Sequence, residues 1–278
     1  MHFRKIGRKT VKAIGLGVMA LDEYKPKTRD KEAIEFLKNS IGIGVDFFDT
    51  ADVYGLGRNE ALLGKALSEE EKNKVLIASK GGCTRPRGFD WGVDGRPEHI
   101  RGAIKESLER LQIKQIELYQ LHAIDRNVPI SESIKVLKEL QEQGYIKNIG
   151  VSNFDLNEVQ EAQKYAEIVS VQNPFNYSRR IDEHTLLPYL RDNKITYIAY
   201  FPLGQSLLIG NGKLQLIASN LEITPSQLAL AWIINKWENV IAIPGTKNSR
   251  HLTENMGAIS IKLSYEDIQR VDSIYNIK

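Results

Sequence analysis

The feature that most narrows what this chain can become is a rhythm. Short, continuous apolar runs alternate with stretches of helical periodicity, eight times over. The runs are Ala13–Gly17, Val45–Thr50, Val75–Lys80, Ile116–His122, Ile146–Ser152, Ile168–Asn173, Thr196–Pro202 and Val240–Thr246. A run that is apolar throughout, not at every second position, suits a parallel strand covered on both faces. Between the runs, Asp30–Ile41 puts Ile34, Leu37 and Ile41 on one face, and Pro97–Leu111 spaces Ile100, Ile104, Leu108 and Leu111 in the same way. Ser131–Gln143 (stopped by Gly144), Asp155–Ala166, Glu183–Asn193, Pro225–Asn235 and Ser249–Ile259 continue the series. Such alternation predicts right-handed βαβ units in an α/β fold that closes into a (β/α)8 TIM barrel. An open doubly wound sheet is the competing arrangement. The FRKIGRKTVKA stretch predicts an N-terminal β-hairpin, and Ser264–Tyr275 an extra C-terminal helix with no long arm after it to cover a pocket. Residues 1–278 read as a single barrel domain, a length such barrels commonly reach.

Composition excludes several alternatives. The net charge is only +3, and the basic residues Arg4, Lys5, Arg8, Lys9 and Lys12 are too sparse for a nucleic-acid stripe. No apolar run approaches the ~20 residues that cross a bilayer, and the first residues lack the apolar segment of a signal peptide. Cys83 is the one cysteine, which fits a reducing compartment. A cytoplasmic protein that binds neither nucleic acid nor membrane is expected, as a monomer or weak oligomer. His2, His99, His122, His184 and His251 form no metal-ligand spacing, so no metal is expected.

In a barrel of this kind reactive groups collect at the C-terminal ends of the strands. The polar residues ending successive runs include Asp49, Lys80 and His122, with Tyr54 just beyond Asp49. Together they suit carbonyl reduction, which needs a proton for the oxygen as well as hydride for the carbon. Tyrosine can donate that proton but is a slow acid at its ordinary pKa of ~10. A lysine cation lowers that pKa, an aspartate holds the lysine charged, and a histidine binds the carbonyl oxygen or relays the proton. Taken singly each has a plainer role: Tyr54 as a wall residue, Lys80 and Asp49 as a structural ion pair, His122 as a rim histidine. Four together, at the ends of neighbouring strands, favour chemistry.

The segment Asp49-Thr50-Ala51-Asp52-Val53-Tyr54-Gly55, with Asn59-Glu60 and Leu63-Gly64, resembles the aldo-keto reductase signature. So does Gly150-Val151-Ser152-Asn153-Phe154. The resemblance runs from about Ile14 to about Ile259. It implies a nicotinamide-dependent oxidoreductase with Tyr54 as general acid, Lys80 and Asp49 tuning it, and His122 orienting the carbonyl. It also implies the cofactor contacts. Asp49, Gly17, Val18 and Met19 lie near the nicotinamide, Ser152, Asn153 and Gln172 hold its carboxamide, and Tyr200 stacks on its ring. Phe201, Leu203, Gly204 and Gln205 follow the pyrophosphate, although Phe201 stands where many members carry serine. Gly245, Thr246, Lys247, Arg250, His251, Glu254 and Asn255 grip the adenosine end. Lys247 and Arg250 are candidate partners of a 2′-phosphate and favour NADPH, with NADH the other choice.

Gly15-Leu16-Gly17-Val18-Met19-Ala20 also fits a G-x-G-x-x-A dinucleotide fingerprint, but helical periodicity resumes only near Asp30, too late for that motif. Tyr24, Trp91 and Phe175 are candidate substrate contacts, with Met19 and Tyr177 beside them; Arg179 or Arg180 faces either a polar substrate or solvent. The second half is similar to bacterial and archaeal members, some of which reduce pyridoxal, so pyridoxal or another small aldehyde is the expected substrate. Two other functions fit parts of the pattern. A Schiff-base lyase would use Lys80 as nucleophile, and a regulatory subunit would bind cofactor with little turnover.

Overall fold

The computed structural model describes residues 2–21, 30–86, 90–206 and 208–275. Numbered in chain order, its strands are β1 (Phe3–Ile6), β2 (Lys9–Lys12), β3 (Leu16–Gly17), β4 (Phe47–Asp49), β5 (Leu76–Gly81), β6 (Cys83–Thr84), β7 (Gly92–Val93), β8 (Ile116–Leu121), β9 (Ile146–Ser152), β10 (Ile168–Pro174), β11 (Thr196–Tyr200) and β12 (Val240–Ala242). Eight form one sheet in the order β12-β11-β10-β9-β8-β5-β4-β3, every neighbour parallel. The two edges meet. Gly15 N–H donates to the Ala242 carbonyl (2.9 Å), and Ala242 N–H donates to the Ala13 carbonyl (2.9 Å). This closes the (β/α)8 barrel and excludes the open sheet. Closure is tight enough to need glycine, because a Cβ on Gly15 would sit 2.6 Å from the Phe47 ring.

The strand parity sorts side chains into two compartments. Phe47, Leu76, Ala78, Leu118, Ile198 and Ile241 fill the barrel interior, and Ile6 and Val11 of the β1–β2 hairpin close its floor. Residues of the other parity, such as Ile77, Tyr119 and Tyr197, pack outward against the helices. Two steps up each strand from the interior core, the inward positions become polar: Asp49, Lys80, Gln120 and Gln172. The same layering that builds the core thus delivers the polar layer to the C-terminal mouth.

The helices follow the sequence spacing closely, at Asp30–Ile43, Pro97–Leu111, Ile130–Glu142, Leu156–Gln163, Leu186–Asp192, Pro225–Lys236 and Ser249–Gly257. Asp155 and Thr224 cap two of them with reciprocal side-chain bonds. Arg58–Ala66, Glu69–Lys74 and Gly212–Asn220 are additional. After Gly17 the chain makes a 3-10 turn, Val18–Leu21, where the fingerprint requires an α-helix to begin, so the dinucleotide fingerprint is a coincidence of sequence.

The last helix, Tyr265–Asp272, is clamped by a partly buried network. Asp272 accepts from Arg180 (2.9 Å), Trp232 Nε1 (3.0 Å) and Lys236 (2.8 Å). Arg180 therefore serves this clamp and does not meet a substrate, while Arg179 is exposed. At the other end Arg4 donates to the carbonyls of Val240 (3.1 Å), Ile234 (2.7 Å) and Trp237 (3.0 Å). No helix among the described residues is long and apolar enough to cross a membrane.

Candidate active site

The barrel mouth holds a cavity of about 1050 Å³, a volume typical of a small-molecule site. At its base three adjacent strands bring the expected polar set together. Asp49 ends β4, Lys80 is the last residue but one of β5, and His122 follows β8. Tyr54 opens the 3-10 turn Tyr54–Gly57. Lys80 is fully buried and uses all three donors: to Asp49 Oδ1 (2.6 Å), the Thr50 carbonyl (2.8 Å) and the Tyr54 hydroxyl oxygen (3.3 Å). Gln172 Nε2 (2.7 Å) and Gln120 Nε2 (3.4 Å) reach the other Asp49 oxygen. Gln120 belongs to this layer by strand parity, and the sequence reading had missed it.

Burial and neighbouring charge set the protonation states. Burial alone would depress the Lys80 pKa, but Asp49 and the Tyr54 oxygen outweigh it and hold the amine above its ordinary value. Burial raises the Tyr54 pKa, with Asp49 adding to the effect and Lys80 opposing it. The net outcome reverses the expected depression: at rest Tyr54 is a firmly protonated phenol. Lys80 pulls the opposite way and so favours the anion whenever the proton leaves. Burial, then Lys80 and Arg85, press His122 well below its ordinary pKa, so the imidazole is neutral. Its Nδ1 is buried and makes no hydrogen bond among the described residues, a donor-or-acceptor atom fit for a ligand. The rings of Tyr54 and His122 meet edge to face at 5.7 Å. Burial pushes the Cys83 thiol on the cavity wall up to about 12, so it is no nucleophile.

The other half of the cavity is lined from β9, β10 and β11 by Ser152, Asn153, Gln172 and Tyr200, with Gly17, Met19 and Gly245 beyond. Asn153, at φ 61°, donates to the His122 carbonyl (3.0 Å) and accepts from the Tyr200 hydroxyl (2.7 Å). In the loop after β11, Phe201, Gly204, Gln205 and Ser206 all have positive φ. The turns close on themselves: Gly204 N–H donates to the Phe201 carbonyl (2.9 Å) and Ser206 N–H to the Leu203 carbonyl (3.0 Å). Leu203 and Gln205 line the cavity; Gly204 packs on Leu208 within the same loop.

Other expected contacts fall elsewhere. Thr246, Lys247, Arg250 and His251 lie past the cavity rim, the last three exposed at the start of the helix Ser249–Gly257. The Asn248 side chain caps that helix by accepting from the N–H groups of Arg250 (2.9 Å) and His251 (3.3 Å), a role the sequence reading did not assign. Glu254 accepts from Thr224 (2.7 Å), and Asn255 is buried. Val18 turns its side chain into the core and offers only its carbonyl, to Asn59 (2.8 Å). Phe175 is no substrate contact: it is fully buried, stacked on Trp232 at 5.8 Å, because its parity points outward. Tyr177 is likewise fully buried. Trp91 does line the cavity, half-exposed, 6.0 Å from the His122 ring. Tyr24 lies outside the described residues. Arg85, which the sequence reading did not single out, lines the wall beside Trp91.

The aldo/keto reductase family model matches residues 13–276. The chain belongs to the aldo/keto reductase family. It is thus an oxidoreductase of the class that reduces carbonyls with NAD(P)H. Pyridoxine 4-dehydrogenase of Escherichia coli (strain K12) is 33% identical, over 97% of this chain and 96% of its own. A thermostable aldo-keto reductase crystallised with the inhibitor epalrestat superposes with a TM-score of 0.88 at 34% identity, covering 99% of this chain and 100% of its own. An aldo-keto reductase from Klebsiella pneumoniae in complex with NADPH gives 0.86 at 27% identity, covering 99% and 95%.

Proposed function

We propose that this enzyme uses NADPH to reduce a small aldehyde or ketone to an alcohol, with Tyr54 donating the proton. The observation that carries the reading is the buried Asp49–Lys80–Tyr54 chain of contacts opening onto the cavity. Lysine ammonium only donates, so the phenol hydrogen of Tyr54 cannot point at Lys80 and is directed at an acceptor in the cavity. A neutral His122 beside it offers a ring nitrogen to the same carbonyl oxygen and orients it. As Tyr54 gives up its proton, the adjacent ammonium stabilises the phenolate.

The residues present fit a nicotinamide cofactor. Ser152, Asn153 and Gln172 supply a hydrogen-bonding edge for a carboxamide, the Tyr200 ring supplies a stacking face, and the loop after β11 lines the cavity with Leu203 and Gln205, where the rest of the cofactor would run. When bound, the cofactor supplies hydride to the carbonyl carbon. Lys247 and Arg250 are the exposed cations at the rim that suit a 2′-phosphate, and the similarity to the NADPH complex supports that choice.

The lyase alternative loses support at Lys80. A Schiff-base lysine must present a neutral amine, whereas this one is held charged with every donor engaged. For substrate, similarity to pyridoxine 4-dehydrogenase supports pyridoxal as the first small aldehyde to try. The test is loss of absorbance at 340 nm with NADPH or NADH and a panel of pyridoxal, methylglyoxal and 4-nitrobenzaldehyde. Substrate-dependent oxidation, faster with NADPH, is expected. Cofactor binding without any turnover would transfer the reading to a regulatory subunit.

A further inference from the structure

Two successive buried residues after β10, Asn176 and Tyr177, grip the loop after β11 at both of its ends. At the first end the Phe201 carbonyl accepts from Asn176 Nδ2 (3.0 Å) as well as from Gly204 N–H (2.9 Å). At the far end the Leu208 carbonyl accepts from the Tyr177 hydroxyl (2.7 Å). The Leu208 side chain seats against Gly204, where a Cβ would overlap Leu208 Cγ and approach its Cδ1 to 2.7 Å. Between the two held carbonyls lie Leu203 and Gln205, which line the cavity.

Both grips are themselves fixed. The Asn176 side-chain oxygen accepts from Ser178 N–H (3.0 Å) and Arg179 N–H (2.8 Å), which leaves its amide hydrogens for Phe201. Burial, with Tyr275 adding to it, pushes the Tyr177 phenol up to about 12, so the hydroxyl stays protonated and donates. The Tyr177 ring rests against that of Tyr275 at 5.7 Å, and Arg180 ties the Tyr275 carbonyl to the clamp around Asp272. The loop is thereby anchored to the last helix and not to its own strand alone.

We infer that Asn176 and Tyr177 are positioning residues: they set the shape of the loop after β11 and, through it, how long NADPH stays bound. The inference rests on the cofactor reading above.

The test uses Tyr177→Phe, which keeps the ring and deletes the donor, and Asn176→Asp, which keeps the accepting oxygen and deletes the amide. Hydrogen exchange across residues 201–206 is read before cofactor is added, and NADPH release by stopped-flow fluorescence after. Both variants should speed local exchange and NADPH release about three- to tenfold, the worth of one net hydrogen bond, while kcat at saturating NADPH does not fall. Should Asn176→Asp fail to fold, Tyr177→Phe decides alone. Unchanged release from variants that still bind NADPH overturns the inference and leaves the reductase standing. A kcat that falls with no change in release also overturns it, since the damage then lies at the reacting atoms. If the natural protein binds neither NADPH nor NADH, the cofactor reading fails instead. Loop exchange then decides the grip by itself: faster exchange in the variants supports it, and unchanged exchange overturns it.

Discussion

The Lys80 ammonium sits 3.3 Å from the Tyr54 hydroxyl oxygen inside a fully buried shell. That contact fixes which way the phenol proton can leave. Tyr54→Phe should therefore lower kcat by about 10²–10⁴-fold, the usual worth of a positioned acid, while NADPH affinity stays within about threefold. Retention of more than about a tenth of the rate would assign the proton to another group.

The same burial shapes the pH profile. His122 becomes cationic only well below its ordinary 6.5, and Tyr54 loses its proton only above its ordinary 10. Reduction at saturating cofactor should show no limb near pH 6.5 and none from Tyr54 below about 10. A bell centred on neutral pH would contradict these assignments.

Lys247 and Arg250 stand exposed at the rim, where a phosphate would be shared with solvent. Lys247→Ala should weaken NADPH by about tenfold and NADH by less than about twofold, measured as Kd by fluorescence at fixed salt. Equal losses would remove the 2′-phosphate from its role.

Gly64 lies where the helix Arg58–Ala66 crosses the helix Pro97–Leu111. A Cβ there would overlap the Arg110 carbonyl oxygen and approach the Leu111 carbonyl carbon to 2.8 Å. Backbone cannot rotate aside as a side chain does, so Gly64→Ala should destabilise by about 1–3 kcal/mol. A fall in Tm of roughly 2–4 °C per kcal/mol is expected, and an unchanged Tm would show the crossing to be slack.

Asp52 is held up at about 8 by burial and by Glu60. Its unfolded form ionises near 3.8. The stability due to the protonated folded form is therefore complete below 3.8, drains away as pH rises to about 8, and is absent above. Relative to the natural protein, Asp52→Asn should gain Tm with pH across that window and level off beyond it. A pH-independent difference would mean that Asp52 is ionised in the folded state.

Strand number, order and the polar ends were readable because the runs are largely apolar and end abruptly. The same uniformity hid the inward and outward parity. Phe175 thus read as a pocket residue although it faces Trp232, and Gln120 went unnoticed beside His122. The helix Arg58–Ala66 was obscured because Asn59, Glu60 and Gly64 lack apolar periodicity. Buried contacts hold them instead: Asn59 with the Val18 carbonyl (2.8 Å), Glu60 with Arg110 (2.8 Å). Arg85 and Trp91 are equidistant from Gly88 in the sequence, a hairpin symmetry that was present but carried no chemical signature.

The barrel closes between Ala13–Gly15 and Ala242, and Arg4 reaches Val240, so the first barrel strand finds its second partner only after the other seven have been made. Until then a growing chain carries β3 with one row of backbone donors and acceptors unmatched, the kind of edge that recruits foreign strands. Ring closure therefore waits for the last barrel strand. The interval between the first and last barrel strands leaving the ribosome is when this molecule most needs a chaperone.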